Sequence, residues 1–154
     1  MQSEPEAEAE PWPARVLLAC DGSEQAARAS AVVAALVSPQ AVVRLLTVAG
    51  SEYAPYEGQW GPLSDAEDRK FELALIMDQA FTGPLERLRP TGCRLEAGSR
   101  LGNPGQQILI DVEEWNPDLV VVGRTGAGGM VKLVLGSVSN HVVKNARVPV
   151  LVVS

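Results

Sequence analysis

The chain has 154 residues, of which 46% are apolar and 21% charged, and its formal net charge is -6. This length allows one domain with a sizeable core, and no apolar run approaches the ~20 residues that a membrane-spanning helix needs. The 13 Lys and Arg residues are scattered and outnumbered by 19 Asp and Glu residues, which excludes the basic surface expected of a DNA- or RNA-binding protein.

The N-terminal residues are acidic and rich in proline, with glutamate at every second position from Glu4 to Glu10. Such a segment buries too little apolar surface to offset the entropy that it would lose on ordering. It also lacks the basic and apolar regions of a secretory signal. We therefore expect a disordered acidic tail at 1–14, one domain at 15–154, and a cytoplasmic location without membrane or nucleic-acid partners.

Five apolar runs have the length of strands and are separated by helical patterns. They lie at 15–20, 41–48, 93–98, 118–123 and 148–153. Near-continuous runs of Val, Ile and Leu are typical of a parallel sheet that is covered on both faces. The run at 93–98 instead alternates apolar and polar residues, which places its strand at a sheet edge. The sequence predicts an α/β fold with a single doubly wound, five-stranded parallel sheet and helices on both faces.

Four helices are predicted between these strands, at 23–37, 66–89, 103–115 and 137–146. Ser23 and Asn103 are suitable N-caps for the first and third helices. Pro104 fits the first position of the third helix, where its missing N–H is harmless. Gly83-Pro84 predicts that the second helix is broken into two pieces.

The side chains expected in the core are mostly small or aliphatic. The first helix is predicted to bury a face of small residues: Ala27, Ala31, Ala34 and Val37. Trp115 is predicted to be a core residue of the third helix. Cys20 and Cys93 fit no metal-binding spacing, and we interpret both as buried free thiols.

Ligands of open α/β sheets bind beyond the carboxyl ends of the strands, where the strand order reverses. Asp21-Gly22-Ser23 follows the first strand, and GRTGAGGMVKLVLGS (123–137) follows the fourth. Glycines let backbone N–H groups turn toward an anion, and the helix that begins near Ser137 favours negative charge at its start. The carboxylate of Asp21 either caps a helix or accepts hydrogen bonds from a ribose. Arg124 either contacts a phosphate or is solvated.

The glycine spacing decides between nucleotide-binding motifs. The patterns GxxxxGK[ST] and GxGxxG are both absent. The pattern present is G-x2-G-x9-G-[ST], formed by Gly123, Gly126, Gly136 and Ser137. On this spacing, and on GSVSNHVVKNARVPVLVV (136–153), the chain resembles the universal stress protein superfamily, and within it the ATP-binding branch.

The resemblance implies a strand order of 3-2-1-4-5 and a bound ATP, with ADP or AMP left open as the resident ligand. Adenine would lie near the backbone of Ala19 and Val48, and the ribose near Asp21. The residues that the resemblance places at the phosphates are Gly123, Gly126, Gly136, Ser137, Val138 and Ser139. It also implies Mg²⁺ as a counterion of the triphosphate, for which the sequence offers no obvious protein ligand.

The wholly apolar strand at 148–153 falls at the other sheet edge in that order. Exposed apolar edges invite pairing, so we expect a homodimer through this strand, as the resemblance also implies. The favoured function is a nucleotide-dependent sensor or signalling module of the stress response, with an unidentified protein partner and a responsive loop at 49–65. The alternatives are slow ATP hydrolysis or autophosphorylation at Ser137 or Ser139, a related ATP-consuming α/β enzyme, or a flavin carrier. No catalytic residue is predicted.

Overall fold

The computed structural model of the protein describes residues 11–50, 65–124 and 135–154, with side chains in the second helix described from residue 74 onward. The first half of the fold consists of β1 (Arg15–Ala19), α1 (Glu24–Leu36), β2 (Val42–Ala49) and α2 (Asp65–Leu88). A short 3-10 turn (Arg89–Thr91) then leads into β3 (Arg94–Leu101). The remaining elements are α3 (Pro104–Trp115), β4 (Leu119–Gly123), α4 (Ser137–Asn145) and β5 (Val150–Val153).

The strands form one parallel sheet in the order β3-β2-β1-β4-β5. This confirms the predicted fold class and the strand order that the resemblance implies. Alternate residues of each strand point to opposite faces, so the sheet has a core on each side. Val16 and Leu18 of β1 pack toward α1 and α2, whereas Leu17 packs toward α3 and α4. No helix in the described part of the chain is long and apolar enough to cross a membrane.

The predicted helix starts are confirmed by their capping hydrogen bonds. The Ser23 side chain accepts from the backbone N–H of Ala26 at 3.1 Å, and Asn103 Oδ1 accepts from that of Gln106 at 3.1 Å. Pro104 occupies the first turn of α3 as expected. The N-cap residues therefore fix where α1 and α3 begin, directly after β1 and β3.

The buried face of α1 differs from the predicted one. It consists of Ala26, Ala29, Ser30 and Val33. Ala31, which the sequence assigned to the core, is exposed. Alanines occur on several sides of this helix, so their spacing alone does not identify the side that faces the sheet.

The predicted break in the second helix is wrong, because α2 continues from Asp65 to Leu88 with Pro84 inside it. A proline removes one backbone hydrogen bond and strains one turn. Ala80, Phe81 and Leu88, which flank Pro84 in sequence, are all buried in the core beside α1. We infer that this packing offsets the local cost of the proline.

Trp115 packs against the hydrophobic core, as predicted, but at its boundary. Trp115 is half-buried, and the guanidinium groups of Arg15 and Arg44 each lie 4.4 Å from the centre of its ring. Cation–π contacts of this kind stabilise an aromatic side chain at the boundary of the core. Cys20 and Cys93 are buried and free, as expected.

The N-terminal boundary of the domain includes Ala14. Its N–H donates to Asp118 Oδ2 at 2.9 Å, and its carbonyl accepts from the N–H of Val42 at 2.8 Å. These bonds attach Ala14 to β2 and to the residue before β4. Residues 1–10 lie outside the described chain, so the predicted acidic tail stays a prediction.

Candidate functional site

An open crevice lies at the carboxyl ends of β1 and β4, where the strand order reverses. Its empty volume is about 580 Å³, including the part open to solvent. The described residues that line it come from β1, β2, β4 and the starts of three helices: Ala19, Cys20, Asp21, Ser23, Ala26, Leu46, Val48, Pro104, Ile108, Val122, Gly123 and Val138. The crevice is therefore at the place where α/β sheets bind ligands.

The inner walls of the crevice are apolar. Leu46 and Val48 project from β2 on one side, while Pro104 and Ile108 lie on the first turns of α3. Ile108 and Leu46 are buried. Apolar walls of this kind suit a flat, weakly polar group such as a nucleobase.

Asp21 is the only charged residue among the described lining residues. Its Oδ1 accepts from the N–H of Ser23 at 2.9 Å, and Gly22 between them adopts a φ of +79°, which favours glycine. Ser23, rather than Asp21, caps α1. The exposed carboxylate of Asp21 is thus oriented by the turn, and Oδ2 has no hydrogen-bond partner within the described part of the chain.

Hydrogen bonds bring the exit of β4 and the start of α4 together. The carbonyl of Arg124 accepts from the N–H of Gly136 at 2.7 Å and from Ser139 Oγ at 2.5 Å. On the other side, the N–H of Arg124 donates to the carbonyl of Val153 at 2.8 Å. The two described ends of the glycine-containing segment at 123–137 therefore lie close together.

The start of α4 has backbone donors facing away from the helix. Gly136 is the N-cap and supplies no side-chain hydrogen bond. In the residues that the structure describes, no backbone group accepts from the N–H of Ser137 or Val138. Such amides, at the positive end of the helix dipole, favour a negative group.

The predicted binding residues fall into three groups. Those that line the crevice are Ala19, Asp21, Val48, Gly123 and Val138. Gly136 and Ser137 lie at the start of α4, whereas Gly126 lies outside the described residues. Ser139 is buried, and its hydroxyl donates to the carbonyls of Arg124 and Gly136. The Ser139 hydroxyl is therefore engaged within the protein, and its predicted place at the phosphates stays a prediction.

Sequence reasoning missed the contribution of α3 to the crevice. Pro104 was identified only as a helix start, and Ile108 was not identified as a site residue. The signal was available, because the helix that follows an edge strand packs back across the sheet. Tyr53, Tyr56 and Trp60 of the predicted loop at 49–65 lie outside the described residues.

Two side chains near the crevice have unusual electrostatic surroundings. Burial, and then the charge of Asp21, raise the pKa of the Cys20 thiol well above its ordinary value, so the thiol stays protonated at neutral pH. Arg124 is half-buried, and its Nε is enclosed without a hydrogen-bond partner. Both interpretations of Arg124, contact with a phosphate and solvation, stay predictions. Among the described residues, no group of three His, Cys, Asp or Glu side chains is placed to hold a metal ion.

Comparison with known proteins places this geometry in a family. A model described as the universal stress protein family matches residues 14–154. Universal stress protein MJ0531 from Methanocaldococcus jannaschii is 32% identical over 99 residues, which cover 64% of this chain and 55% of that protein. A universal stress protein from Thermus aquaticus is 37% identical over 142 residues, which cover 90% of this chain and 96% of that protein. The chain thus spans about half of the first relative and nearly all of the second.

Solved structures share the same architecture. Hypothetical protein MJ0577 superposes with a TM-score of 0.75 at 25% identity, over 92% of this chain and 95% of that one. A family member from Arabidopsis thaliana with AMP bound gives 0.65 at 22% identity, over 91% and 90% of the two chains. One from Archaeoglobus fulgidus in complex with dAMP gives 0.61 at 18% identity, over 93% and 98%. Together with the family match over residues 14–154, the shared sheet order shows that the chain belongs to the universal stress protein family.

Proposed function

We propose that this protein binds an adenine nucleotide and acts as a nucleotide-dependent sensor or signalling module of the stress response. The observation that carries the proposal is that three kinds of surface border one crevice: apolar walls, an oriented carboxylate and the start of a helix. The base, the sugar and the phosphates of a nucleotide each need one of these surfaces.

Each part of the ligand has a complementary part of the crevice. Leu46, Val48 and Ile108 offer an apolar surface to adenine, beside the backbone of Ala19. The oriented carboxylate of Asp21 accepts hydrogen bonds from ribose hydroxyls. The N–H groups of Ser137 and Val138 donate to phosphate oxygens, next to Gly123. The AMP-bound and dAMP-bound relatives support an adenine nucleotide as the kind of ligand.

The charge of the crevice bears on the phosphates and their counterion. The single charged lining residue, Asp21, is negative, so a triphosphate gains no ion pair from the described lining. We therefore propose ATP with Mg²⁺, which is held through phosphate oxygens and water, and ADP or AMP as alternative resident ligands.

The lining residues support a binding role rather than fast catalysis. The described lining includes neither a histidine nor a lysine, and Asp21, its one carboxylate, already accepts a bond from the Ser23 backbone. Of the two serines considered for autophosphorylation, Ser139 is buried with its hydroxyl engaged, whereas Ser137 is exposed. Slow phosphoryl transfer, if present, is therefore expected at Ser137 rather than Ser139.

We also propose that the protein is a homodimer through β5. This strand pairs only with β4 among the described strands, so its outer backbone edge is unpartnered. Its residues Val150–Val153 are all apolar, and three of the four are half-buried in the single chain. A second copy across a two-fold axis would cover this edge.

Calorimetric titration of the purified protein with ATP and Mg²⁺ tests the binding proposal. We expect saturable binding by the wild type, and its loss in Gly136→Val and Gly126→Val, because a branched side chain obstructs the approach of a phosphate to the backbone. Gly98→Val on β3 is the matched control, since a β-carbon at Gly98 meets no atom within 4 Å. Circular dichroism should show that all three variants remain folded. Unchanged affinity in both loop variants would refute the phosphate assignment, and no binding by the wild type would refute the function.

A further inference from the structure

The face of α3 that packs on the sheet has two chemically different halves. Its residues follow helical spacing: Pro104, Ile108, Asp111 and Trp115. The first two line the crevice. The last two contact guanidinium groups that come from the sheet. One helix face therefore carries both a wall of the site and a set of ionic contacts.

The ionic contacts centre on Asp111, whose side chain is only 5% exposed. Arg100 of β3 donates to Asp111 Oδ1 through Nη2 at 2.8 Å and through Nε at 3.0 Å. Arg44 of β2 approaches the same oxygen through Nη1 at 3.4 Å. Each arginine has a second carboxylate partner: Glu96 Oε2 lies 3.2 Å from Arg44 Nη2, and Glu114 Oε2 lies 2.5 Å from Arg100 Nη2. Asp111 thus connects α3 to two strands at once.

The surroundings of Arg100 favour its charged form. Burial alone would lower the pKa of Arg100, but its hydrogen bonds to Glu114 and Asp111 and their negative charges outweigh burial and raise it above the ordinary value. Arg100 therefore stays charged at neutral pH. A buried carboxylate with charged donors has a defined geometry, because its hydrogen bonds are directional.

Strand β2, which α3 covers, also carries crevice residues and an ionic residue on one face. Arg44, Leu46 and Val48 alternate along β2 and so lie on the face that α3 covers. Leu46 and Val48 form the wall of the crevice that faces α3, and Arg44 holds Asp111 one pleat further back. The contacts at Arg44 and the width of the crevice are therefore set by the same pair of elements.

We propose that Asp111 is a positioning residue of the nucleotide site. Through Arg44 and Arg100 it fixes where α3 lies along β2 and β3, and so sets the distance between the two apolar walls of the crevice. Apolar packing is non-directional and tolerates small shifts of a helix, whereas hydrogen-bonded ion pairs specify one position. This inference rests on the proposed function, because the crevice walls matter only if a ligand occupies the space between them.

The proposal predicts which part of a nucleotide is affected. The walls built by α3 and β2 face the nucleoside, whereas the phosphates are assigned to Gly123 and the start of α4. A shift of α3 should therefore weaken the binding of adenosine, AMP and ATP by the same factor. A defect at the phosphate end would instead weaken the binding of AMP and ATP and leave that of adenosine unchanged.

The test is a titration of Asp111→Asn with adenosine, AMP and ATP. Asparagine keeps the size of the side chain and one acceptor but leaves Arg44 and Arg100 without their buried counter-charge. We expect all three affinities to fall about tenfold, the range typical of coupled residues in contact. Glu113→Gln is the matched control, since it makes the same charge change on the exposed side of α3 and should leave every affinity within about twofold.

The variant Arg100→Gln and the free energy of unfolding distinguish a positioning role of Asp111 from a purely structural one. Arg100→Gln removes the β3 partner and leaves the Arg44 contact, so we expect the same pattern with a loss of about threefold; this variant decides the question if Asp111→Asn does not fold. A purely structural role predicts a lower free energy of unfolding with unchanged affinities in the folded variants. That result, or a loss of affinity confined to AMP and ATP, would overturn this inference and leave the proposed function standing. If the wild type bound no adenine ligand, the proposed function would fail and this inference with it.

Discussion

Asp21 is the residue on which the assignment of the sugar depends. Its Oδ1 is held by the Ser23 N–H, and this bond orients the carboxylate at the rim of the crevice. The orientation comes from the backbone turn at Gly22 and requires no other side chain. A ligand hydroxyl therefore meets a carboxylate that is already in place.

We predict that Asp21→Ala weakens AMP binding about tenfold, because a hydrogen bond to a charged group contributes roughly 1.5–3 kcal/mol. The same substitution should barely change binding of 2′,3′-dideoxy-AMP, which lacks the hydroxyls that the carboxylate would accept from. Calorimetry with both ligands measures the coupling between residue and sugar. Equal losses for the two ligands would show that Asp21 acts through the turn and not on the ribose.

The residues of the site were predictable where the backbone alone places them. Asp21 comes shortly after β1 and Gly123 ends β4, so the pairing of these parallel strands brings both residues to one end of the sheet. Ile108 was not recognised, because its position depends on how α3 lies across β2. The hydrogen bond from the Ser139 hydroxyl to the carbonyl of Arg124 could not be predicted for a related reason, because 15 positions separate the two residues.

At the scale of elements, the contact between α3 and α4 depends on a glycine. Gly105 is buried in the first turn of α3, and a β-carbon there would lie 2.8 Å from Cδ2 and 3.2 Å from Cβ of His141 on α4. The two helices approach closely only because position 105 has no side chain. Both helices border the crevice, so this contact also sets their relative position at the site.

We predict that Gly105→Ala lowers the free energy of unfolding by about 1–3 kcal/mol through overpacking. In a His141→Ala background the same change should cost clearly less, because the 2.8 Å contact with Cδ2 is absent while the 3.2 Å contact with Cβ stays. Urea denaturation of the four proteins of this cycle gives the coupling energy. The same cost in both backgrounds would contradict the steric explanation.

The helices and strands themselves could be read from the sequence with few exceptions. Apolar runs and capping residues identified all five strands and the starts of α1 and α3. Pro84 misled the prediction of α2, because a single proline is outweighed by the core residues around it. Arg44 and Asp111 could not be paired from the sequence, since 67 positions separate them and only the packing of α3 on β2 joins them.

At the scale of the whole molecule, the two edges of the sheet carry opposite chemistry. The edge strand β5 is apolar throughout, whereas the edge strand β3 carries Arg94, Glu96 and Arg100. Charged side chains on an edge strand oppose pairing with another chain. Only the β5 edge is therefore suited to an interface between copies.

We predict that the protein sediments at micromolar concentration as a dimer, with twice the chain mass of 16.3 kDa. Val152→Lys should shift it to the monomer, because a charge would then be buried in the proposed interface. Ala97→Lys, which adds the same charge at an exposed position of β3, is the matched control and should stay dimeric. A monomeric wild type, or equal effects of the two lysines, would contradict the β5 interface.

The arginines and glutamate of β3 also affect how many copies of the chain can join. In the dimer proposed through β5, the strands left at the outer ends of the combined sheet would be the two charged β3 strands. Neither end would offer a template for a third copy, so we expect growth to stop at a closed pair and not to continue into a filament. Substitutions that remove charge from β3 are therefore the ones that we expect to promote fibre formation.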